Sequence, residues 1–110
     1  MADDIEGLMR RWADGIDPDV ATQIDRAYEI QFAGVSGKWF LDLRRPADPL
    51  SREAPEGELC RLGMHTEDLE SLLAGRSTLQ QLFHVGRLRV FQDMASAMRL
   101  DRLFSKPTED

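Results

Sequence analysis

Apolar residues in the first part of the chain recur with the spacing of a helix. They fall on one face over residues 4–16, while charged residues occupy the other faces, which predicts an amphipathic helix that ends near Gly15. A short second turn or helix is expected over residues 17–25. The apolar residues of the first helix are Ile5, Leu8, Met9, Trp12 and Ile16.

The pattern then changes to a period of two, which is typical of strands with one buried face. The alternation runs through residues 27–33, stops at a turn containing two glycines at residues 34–37, and resumes at Trp39. Two alternating segments joined by a short turn predict an antiparallel hairpin. Its apolar positions are Tyr28, Ile30, Phe32, Trp39, Leu41 and Leu43. The charged residues on the other faces are expected to be solvated, and these are Glu29, Asp42 and Arg44.

The hairpin is followed by a loop and a further strand. Residues 46–58 contain three prolines and few apolar side chains, which predicts a loop with at most a short edge strand over residues 50–54. Residues 59–64 alternate again, with Cys60, Leu62 and Met64 on one side. This segment is expected to belong to the same sheet.

Two short helices are predicted next, each from its capping residues. Thr66 precedes two acidic residues and an apolar stripe, which predicts a helix that Thr66 caps and that ends at Gly75. Ser77 and Gln80 have the spacing of a capping box and predict a second helix that ends before Gly86.

The last part of the chain predicts one strand and one helix. Residues 87–92 alternate as a strand, and Asp93 is expected to cap a final helix that reaches Phe104. Residues 105–110 are expected to form a flexible tail. Because residues 66–86 form a helical connection between two strands, at least one parallel pairing is expected in an otherwise antiparallel sheet.

Composition and length indicate one folded domain over residues 1–110, with its core over residues 5–104. The 110 residues are 42% hydrophobic and 31% charged, which is typical of globular proteins. No apolar run approaches the ~18 residues of a membrane span, and the acidic N-terminus differs from a secretory signal, so a cytoplasmic location is expected. Cys60 is the one cysteine and is expected to be a buried apolar residue.

The charge of the chain argues against nucleic-acid binding. Its net charge is −6, whereas affinity for phosphate backbones depends on clustered Lys and Arg. Residues 71–106 nevertheless contain six basic and two acidic residues. We interpret this as a solvated surface with chance clustering. The functional alternative is an edge that meets anionic lipid head groups, a phosphopantetheine arm or an acidic carrier protein.

Three segments in the second half of the chain together resemble a known family. Residues 72–76 are the predicted end of a helix and finish with a small residue, a glycine and a basic residue. Residues 86–90 form a predicted strand that starts with glycine, a basic residue and leucine, and residues 93–94 begin the next predicted helix. This order resembles the C-terminal half of the sterol carrier protein type-two domain. The N-terminal half is similar more loosely, so the resemblance covers residues 5–104.

The resemblance implies a fold and a ligand class. The implied fold is an α/β (α+β) one: a single-layer, mixed, mostly antiparallel five-stranded sheet covered by helices on one face. An apolar tunnel between the layers would accept sterols, fatty acyl chains or similar lipids. The resemblance implies no catalytic residues.

Large apolar side chains with a few polar groups are the lining that such a cavity needs. The residues predicted to line it are Phe40, Met64, Leu73, Phe83, His84, Phe91, Met94 and Met98. The alternative for all of these is that they fill a core, or, for His84, that it is a partly exposed surface histidine. Met94 and Met98 fit either interpretation because methionine adapts to irregular shapes.

Three functions remain open from the sequence. The first is non-catalytic binding and carrying of an apolar small molecule or lipid, including an acyl or carrier-protein-bound intermediate. The second is an accessory or cyclase-like role in lipid, polyprenyl or polyketide biosynthesis. The third is a protein-interaction domain with a filled core. No nucleophilic triad or metal site is recognised, so no enzyme activity, cofactor or metal is predicted.

Overall fold

A computed structural model describes residues 5–91 and 94–104. The helices are α1 (Ile5–Asp14), α2 (Pro18–Ile24), α3 (Thr66–Leu73), α4 (Leu79–His84), α5 (Met94–Arg99) and α6 (Asp101–Phe104). The strands are β1 (Ala27–Phe32), β2 (Trp39–Asp42), β3 (Leu50–Ser51), β4 (Leu59–Met64) and β5 (Arg89–Val90). None of these helices is long and apolar enough to cross a lipid bilayer.

The five strands form one sheet in the order β3-β2-β1-β4-β5. The predicted hairpin is confirmed, because β1 and β2 pair antiparallel with Tyr28 opposite Leu41 and Ile30 opposite Trp39. The edge strands β3 and β5 are each two residues long. For β3 this agrees with the expectation of at most a short edge strand over residues 50–54, whereas β5 is shorter than the segment 87–92 that the alternation predicts. Three of the four pairings are antiparallel, so the sheet is mixed and mostly antiparallel as expected.

The one parallel pairing in this sheet is formed by β1 and β4, with Ala27 opposite Leu59. The expectation that the helical connection over residues 66–86 produces this pairing is wrong, since the strands on either side of that connection, β4 and β5, pair antiparallel. The chain instead reaches β4 from β1 through β2, β3 and the following loop. Pairing between distant segments leaves no local pattern in the sequence.

The inner face of the sheet is apolar and packs against the helices. Register places every second residue of β1, β2 and β4 on this face, and these residues share one core with apolar residues of all six helices. Helices therefore cover one face of a single-layer sheet, as the resemblance implied. The inner-face residues of the three strands are Tyr28, Ile30, Phe32, Trp39, Leu41, Cys60, Leu62 and Met64.

The outer face carries two carboxylates that are buried. Glu29 is 3% exposed, and its carboxylate accepts a hydrogen bond from the Gln31 amide and lies 3.6 Å from Arg61 Nε. Asp42 is also buried and binds the Arg44 side chain through two hydrogen bonds of 2.8 and 3.1 Å. The expectation that both are solvated is wrong, because long arginine side chains pair with them and cover them.

The two helix starts lie one residue from their predicted positions. His65 caps α3, and its backbone N–H donates to the Asp68 carboxylate at 3.1 Å. Thr78 caps α4 through a reciprocal capping box with Gln81. Thr66 and Ser77 are favourable capping residues by type, so residue preference alone does not fix which position begins the helix.

The predicted final helix is two short helices, which meet at the fully buried Leu100. The Tyr28 hydroxyl donates a 2.6 Å hydrogen bond to the backbone oxygen of Ser96, which holds α5 against the sheet. The predicted cap at Asp93 and the tail over residues 105–110 concern residues outside the described ranges.

Candidate ligand-binding groove

A groove of about 600 Å³ lies where the C-terminal ends of α1 and α3 meet α6. Its volume is within the ~300–1,000 Å³ that small-molecule sites occupy. The apolar lining residues are Trp12, Leu72, Leu73, Ala74, Leu103 and Phe104. The remaining lining residues are Arg11, Gly15, Gly75, Ser77 and Thr78.

The turn after α3 shapes one side of this groove. Gly75 has a φ of +78°, a backbone conformation that glycine adopts without steric cost. The Arg76 N–H donates back to the Ser71 oxygen at 2.9 Å, which completes the turn. The chain can therefore reverse at once into α4, which leaves the end of α3 as part of the groove wall.

The opposite side of the groove is an aromatic pair. Trp12 of α1 and Phe104 of α6 stack with ring centroids 4.6 Å apart and an angle of 24° between the planes. Trp12 is 2% exposed, and its Nε1–H has no hydrogen-bond partner among the described residues. This pair thus gives the groove an apolar wall on this side.

Asp101 fixes the position of α6 beside the groove. Its carboxylate accepts hydrogen bonds from the backbone N–H groups of Leu79 at 2.7 Å and Gln80 at 3.2 Å. These are free donors in the first turn of α4, where a negative charge also interacts favourably with the helix dipole. The contact joins α6 to α4 and so positions Leu103 and Phe104 in the wall.

Arg11 is the charged residue in the groove's described lining, and no carboxylate belongs to that lining. A second groove of about 560 Å³, between α1 and the loop around β3, differs in this respect. Its charged lining residues have both signs and are Glu6, Arg10, Asp14, Asp48 and Arg52. In its described lining, the first groove is therefore the less charged of the two.

The structure brings one of the predicted site residues to the groove beside Trp12. Leu73 lines it, while Met64 is buried in the core and Met98 is half-buried against that core. Phe40 is also buried, but it lies opposite Glu29 and Ser51 in register. Phe40 therefore occupies the outer face of the sheet and does not face the space between the sheet and the helices.

The other predicted site residues lie at the surface, away from Leu73. Phe83 is 40% exposed and its ring meets the exposed His84 edge-on, with centroids 6.4 Å apart. Phe91 is 55% exposed and lies near Gly63 on the outer face of the sheet. Met94 is 37% exposed. None of these four belongs to the described lining of the groove.

Sequence reasoning missed most of the groove. Trp12 and Leu72 are apolar residues at helical spacing, a signal that indicates burial and does not distinguish a core from a ligand site. Leu103 and Phe104 come from the far end of the chain. No spacing in the sequence relates Leu103 and Phe104 to Arg11 and Trp12 of α1.

Comparison with known proteins identifies related sequences and folds. Residues 5–105 match the family described as "SCP-2 sterol transfer family". A curated relative, hydroxysteroid dehydrogenase-like protein 2 of Bos taurus, is 24% identical over 104 residues, which cover 93% of this chain and 25% of the relative. The chain thus spans about a quarter of the length of this relative.

Solved structures share the fold at low sequence identity. The palmitated SCP2L2 of Aedes aegypti has a TM-score of 0.70 at 14% identity, covering 96% of this chain and 97% of that one. The inverting sec-alkylsulfatase Pisa1 of Pseudomonas sp. has a TM-score of 0.67 at 18% identity, covering 88% of this chain and 16% of that one. The fold therefore occurs both alone and within a much longer enzyme.

Proposed function

Because the chain belongs to the SCP-2 sterol transfer family, we propose that it binds and carries a long apolar lipid, such as a fatty acyl chain, without changing it chemically. The ligand occupies the groove beside Trp12. The observation that carries the proposal is the groove itself, a trough of about 600 Å³ between helix ends in which six of the eleven described lining residues are apolar.

The ligand class is supported by the shape and lining of the groove. Leu72, Leu73 and Leu103 provide aliphatic walls, and the Phe104 ring provides a flat one. Apolar surface of this kind gains free energy when a hydrocarbon chain replaces water. The similar Aedes aegypti structure is described as palmitated, which supports an acyl chain as the ligand here.

The lining also supports binding without reaction. Thr78 Oγ1 accepts the Gln81 N–H at the start of α4, so this hydroxyl already has a structural role. The exposed His84 and the buried Cys60 belong to other parts of the molecule. The groove is open at the helix ends, so an acyl group attached to a carrier protein could enter while its carrier stays outside.

Filling the groove tests the proposal. Ala74 is an exposed residue of the lining, so Ala74→Phe places a ring in the groove with little disturbance of the core. We expect Ala74→Phe to weaken palmitate binding by roughly tenfold or more, which corresponds to about 1.4 kcal/mol. Displacement of a fluorescent fatty acid measures the dissociation constant, and native mass spectrometry of the gently purified protein reports any lipid it retains.

Ala54→Phe is the matched control. Ala54 is an exposed loop residue that belongs to neither of the two grooves described above, so this variant should bind palmitate like the parent chain. Equal binding by the parent and Ala74→Phe would place the ligand elsewhere. A parent chain that carries no lipid and binds no fatty acid would overturn lipid binding and favour a protein-interaction domain.

A further inference from the structure

Exposed apolar side chains are concentrated at one end of the sheet. We propose that this end is a membrane-docking surface, which places apolar side chains at the head-group level of a bilayer that contains anionic phospholipids. The docking surface consists of Val35, Val85, Phe91 and Arg89. The proposal goes beyond ligand binding, because it names the kind of partner with which the folded chain associates.

The first observation is where the exposed apolar residues lie in the chain. Five large apolar residues of the described chain are exposed, and four of them belong to residues 83–94. Val85 and Phe91 have the highest exposed fractions of the five, 69% and 55%. Single exposed apolar residues are ordinary, whereas a concentration of them indicates an interaction site. The five residues are Val35, Phe83, Val85, Phe91 and Met94.

The fold brings three separate segments to the same place. A depression of about 380 Å³ is lined by residues from the ends of β1 and β4, from the turn after α4 and from the segment of β5. Phe91 is one of the lining residues. Val85 directly precedes the lining residue Gly86, and Val35 follows the lining residue Ala33 by two positions. The three exposed apolar residues therefore lie at or beside the border of one depression.

The charges that line this depression are basic, although the chain has a net charge of −6. Arg87 and Arg89 line it, and no carboxylate belongs to its described lining. Arg87 is paired with Glu67 and Asp68 of α3, whereas Arg89 is exposed and forms no ion pair with a described residue. Glu70 lines a neighbouring depression on the α3 side. The cation available to an anionic head group is therefore Arg89, on the β5 side.

This combination favours a bilayer over a protein as the partner. Aromatic and aliphatic side chains beside arginine are typical of contacts with the membrane interface. Val35 and Val85 come from separate turns, and a depression lies between the segments that carry them. A protein partner must match such an uneven surface by shape, because the centre of a protein interface is closely packed. Lipid molecules adjust to it individually.

Flotation with lipid vesicles tests the docking surface in the full chain. We expect the parent chain to bind vesicles of equimolar phosphatidylcholine and phosphatidylglycerol more strongly than vesicles of phosphatidylcholine alone. Val85→Ser should weaken binding to both kinds of vesicle about tenfold, because it removes an apolar side chain from the contact. Arg89→Gln should weaken binding to the anionic vesicles about fivefold and leave binding to phosphatidylcholine unchanged.

Ala54→Ser and Arg45→Gln are the matched controls, since both residues are exposed and lie in the loops after β2 and β3, at the other edge of the sheet. Both variants should float like the parent chain. A parent chain that does not float with the anionic vesicles, or a Val85→Ser variant that floats like the parent, overturns the proposal.

Nitroxide-labelled lipids locate the contact within the chain. In bicelles of the same two phospholipids, we expect the ¹H–¹⁵N signals of residues 85–91 and of Val35 to broaden. The signals of residues 45–54 should keep their intensity. Broadening centred on α1 instead would show that a different face meets the membrane and would overturn the proposed surface.

Palmitate displacement separates membrane docking from the function proposed above. Val85 and Arg89 lie outside the described lining of the groove beside Trp12, so Val85→Ser and Arg89→Gln should bind palmitate like the parent chain. A chain that floats with vesicles but binds no palmitate would keep the docking surface and overturn lipid carrying. A parent chain that does not float but forms a dimer that Val85→Ser dissociates, measured by sedimentation velocity, would show that a second copy covers this surface and overturn membrane docking.

Discussion

Asp42 and Arg44 form the best-defined ion pair on the outer face of the sheet. Arg44 donates from Nε and Nη2 to the two oxygens of Asp42, and its backbone N–H donates as well. These side-chain hydrogen bonds lower the pKa of Asp42 below its ordinary value, although burial opposes them in part. The ionised carboxylate is therefore stabilised in the folded state relative to the unfolded chain.

Asp42→Asn should lower the free energy of unfolding at pH 7 by about 1 kcal/mol, because Arg44 is partly exposed and water replaces some of the lost interaction. A depressed carboxyl pKa stabilises the fold fully above its unfolded value of about 3.9. This stabilisation is lost as the pH falls through the lowered pKa. Urea denaturation at pH 7 and at successively lower pH should show the difference between parent and variant shrinking.

Asp48→Asn is the matched control for this measurement, because Asp48 is an exposed loop residue. It should leave the free energy of unfolding within about 0.5 kcal/mol of the parent at every pH. A difference between the parent and Asp42→Asn that stays constant with pH would mean that the ionised carboxylate is not the source of the stabilisation.

The alternation of apolar and polar residues along a strand predicts only in part which single residues are buried. The pattern places Glu29 and Asp42 on the face opposite Tyr28, and the structure agrees. It gives no sign that both are buried. Arg61, which pairs with Glu29, comes from another strand, and Arg44, which pairs with Asp42, folds back on it from the residues after β2. Alternation records neither kind of contact.

At the scale of elements, the contact of Asp101 with α4 determines where α6 lies. Removing the carboxylate in Asp101→Ala leaves two backbone N–H groups of α4 without this acceptor. We expect the free energy of unfolding to fall by about 1–2 kcal/mol, as for loss of a helix cap. Palmitate binding should weaken as well, because Phe104 loses its fixed position against Trp12.

Asp101→Asn separates charge from hydrogen bonding in the same position, since the amide keeps one acceptor oxygen. It should lie between the parent and Asp101→Ala in both urea denaturation and fatty-acid displacement. An Asp101→Ala protein that is less stable but binds palmitate with unchanged affinity would show that α6 does not need this contact to form the groove wall.

Elements defined by local patterns were predictable, and their ends and partners were less so. Helical spacing located α1, and alternation located β1, β2 and β4, because both signals lie within single segments. The caps lie one residue from the predicted ones, at His65 and Thr78. Asp68 provides the acceptor that favours His65, whereas Gln80 and Gln81 offer equivalent acceptors to Ser77 and Thr78, so the sequence does not decide between those two. The pairing of β1 with β4 joins distant segments and could not be predicted from either one.

At the scale of the whole molecule, ligand binding and stability are linked. A ligand that binds only the folded chain stabilises it by about 2.7 kcal/mol at a hundred times its dissociation constant. For a domain of this size the Tm should therefore rise by roughly 10 °C with palmitate at that concentration. Differential scanning calorimetry measures the shift, which should be similar in Ala54→Phe and smaller in Ala74→Phe at the same palmitate concentration.

The groove is the part of the molecule that was least predictable from the sequence. Its lining comes from residues 11–15, 72–78 and 103–104, three segments that only the folded chain brings together. Leu73 was predicted as a site residue because its side chain is large and apolar. The same criteria also selected Phe91, which lies on the outer face of the sheet, away from the helices. Residue type indicates what could line a ligand site but not where the chain forms one.

The shortness of β3 and β5 affects how this molecule meets other chains. An edge strand exposes unpaired backbone N–H and C=O groups, onto which a strand from another molecule can add. Among the described residues, each edge of this sheet has two residues of regular strand, at Leu50–Ser51 and Arg89–Val90. Such short edges give little template for strand addition, so we expect edge-to-edge pairing between copies of this sheet to be weak.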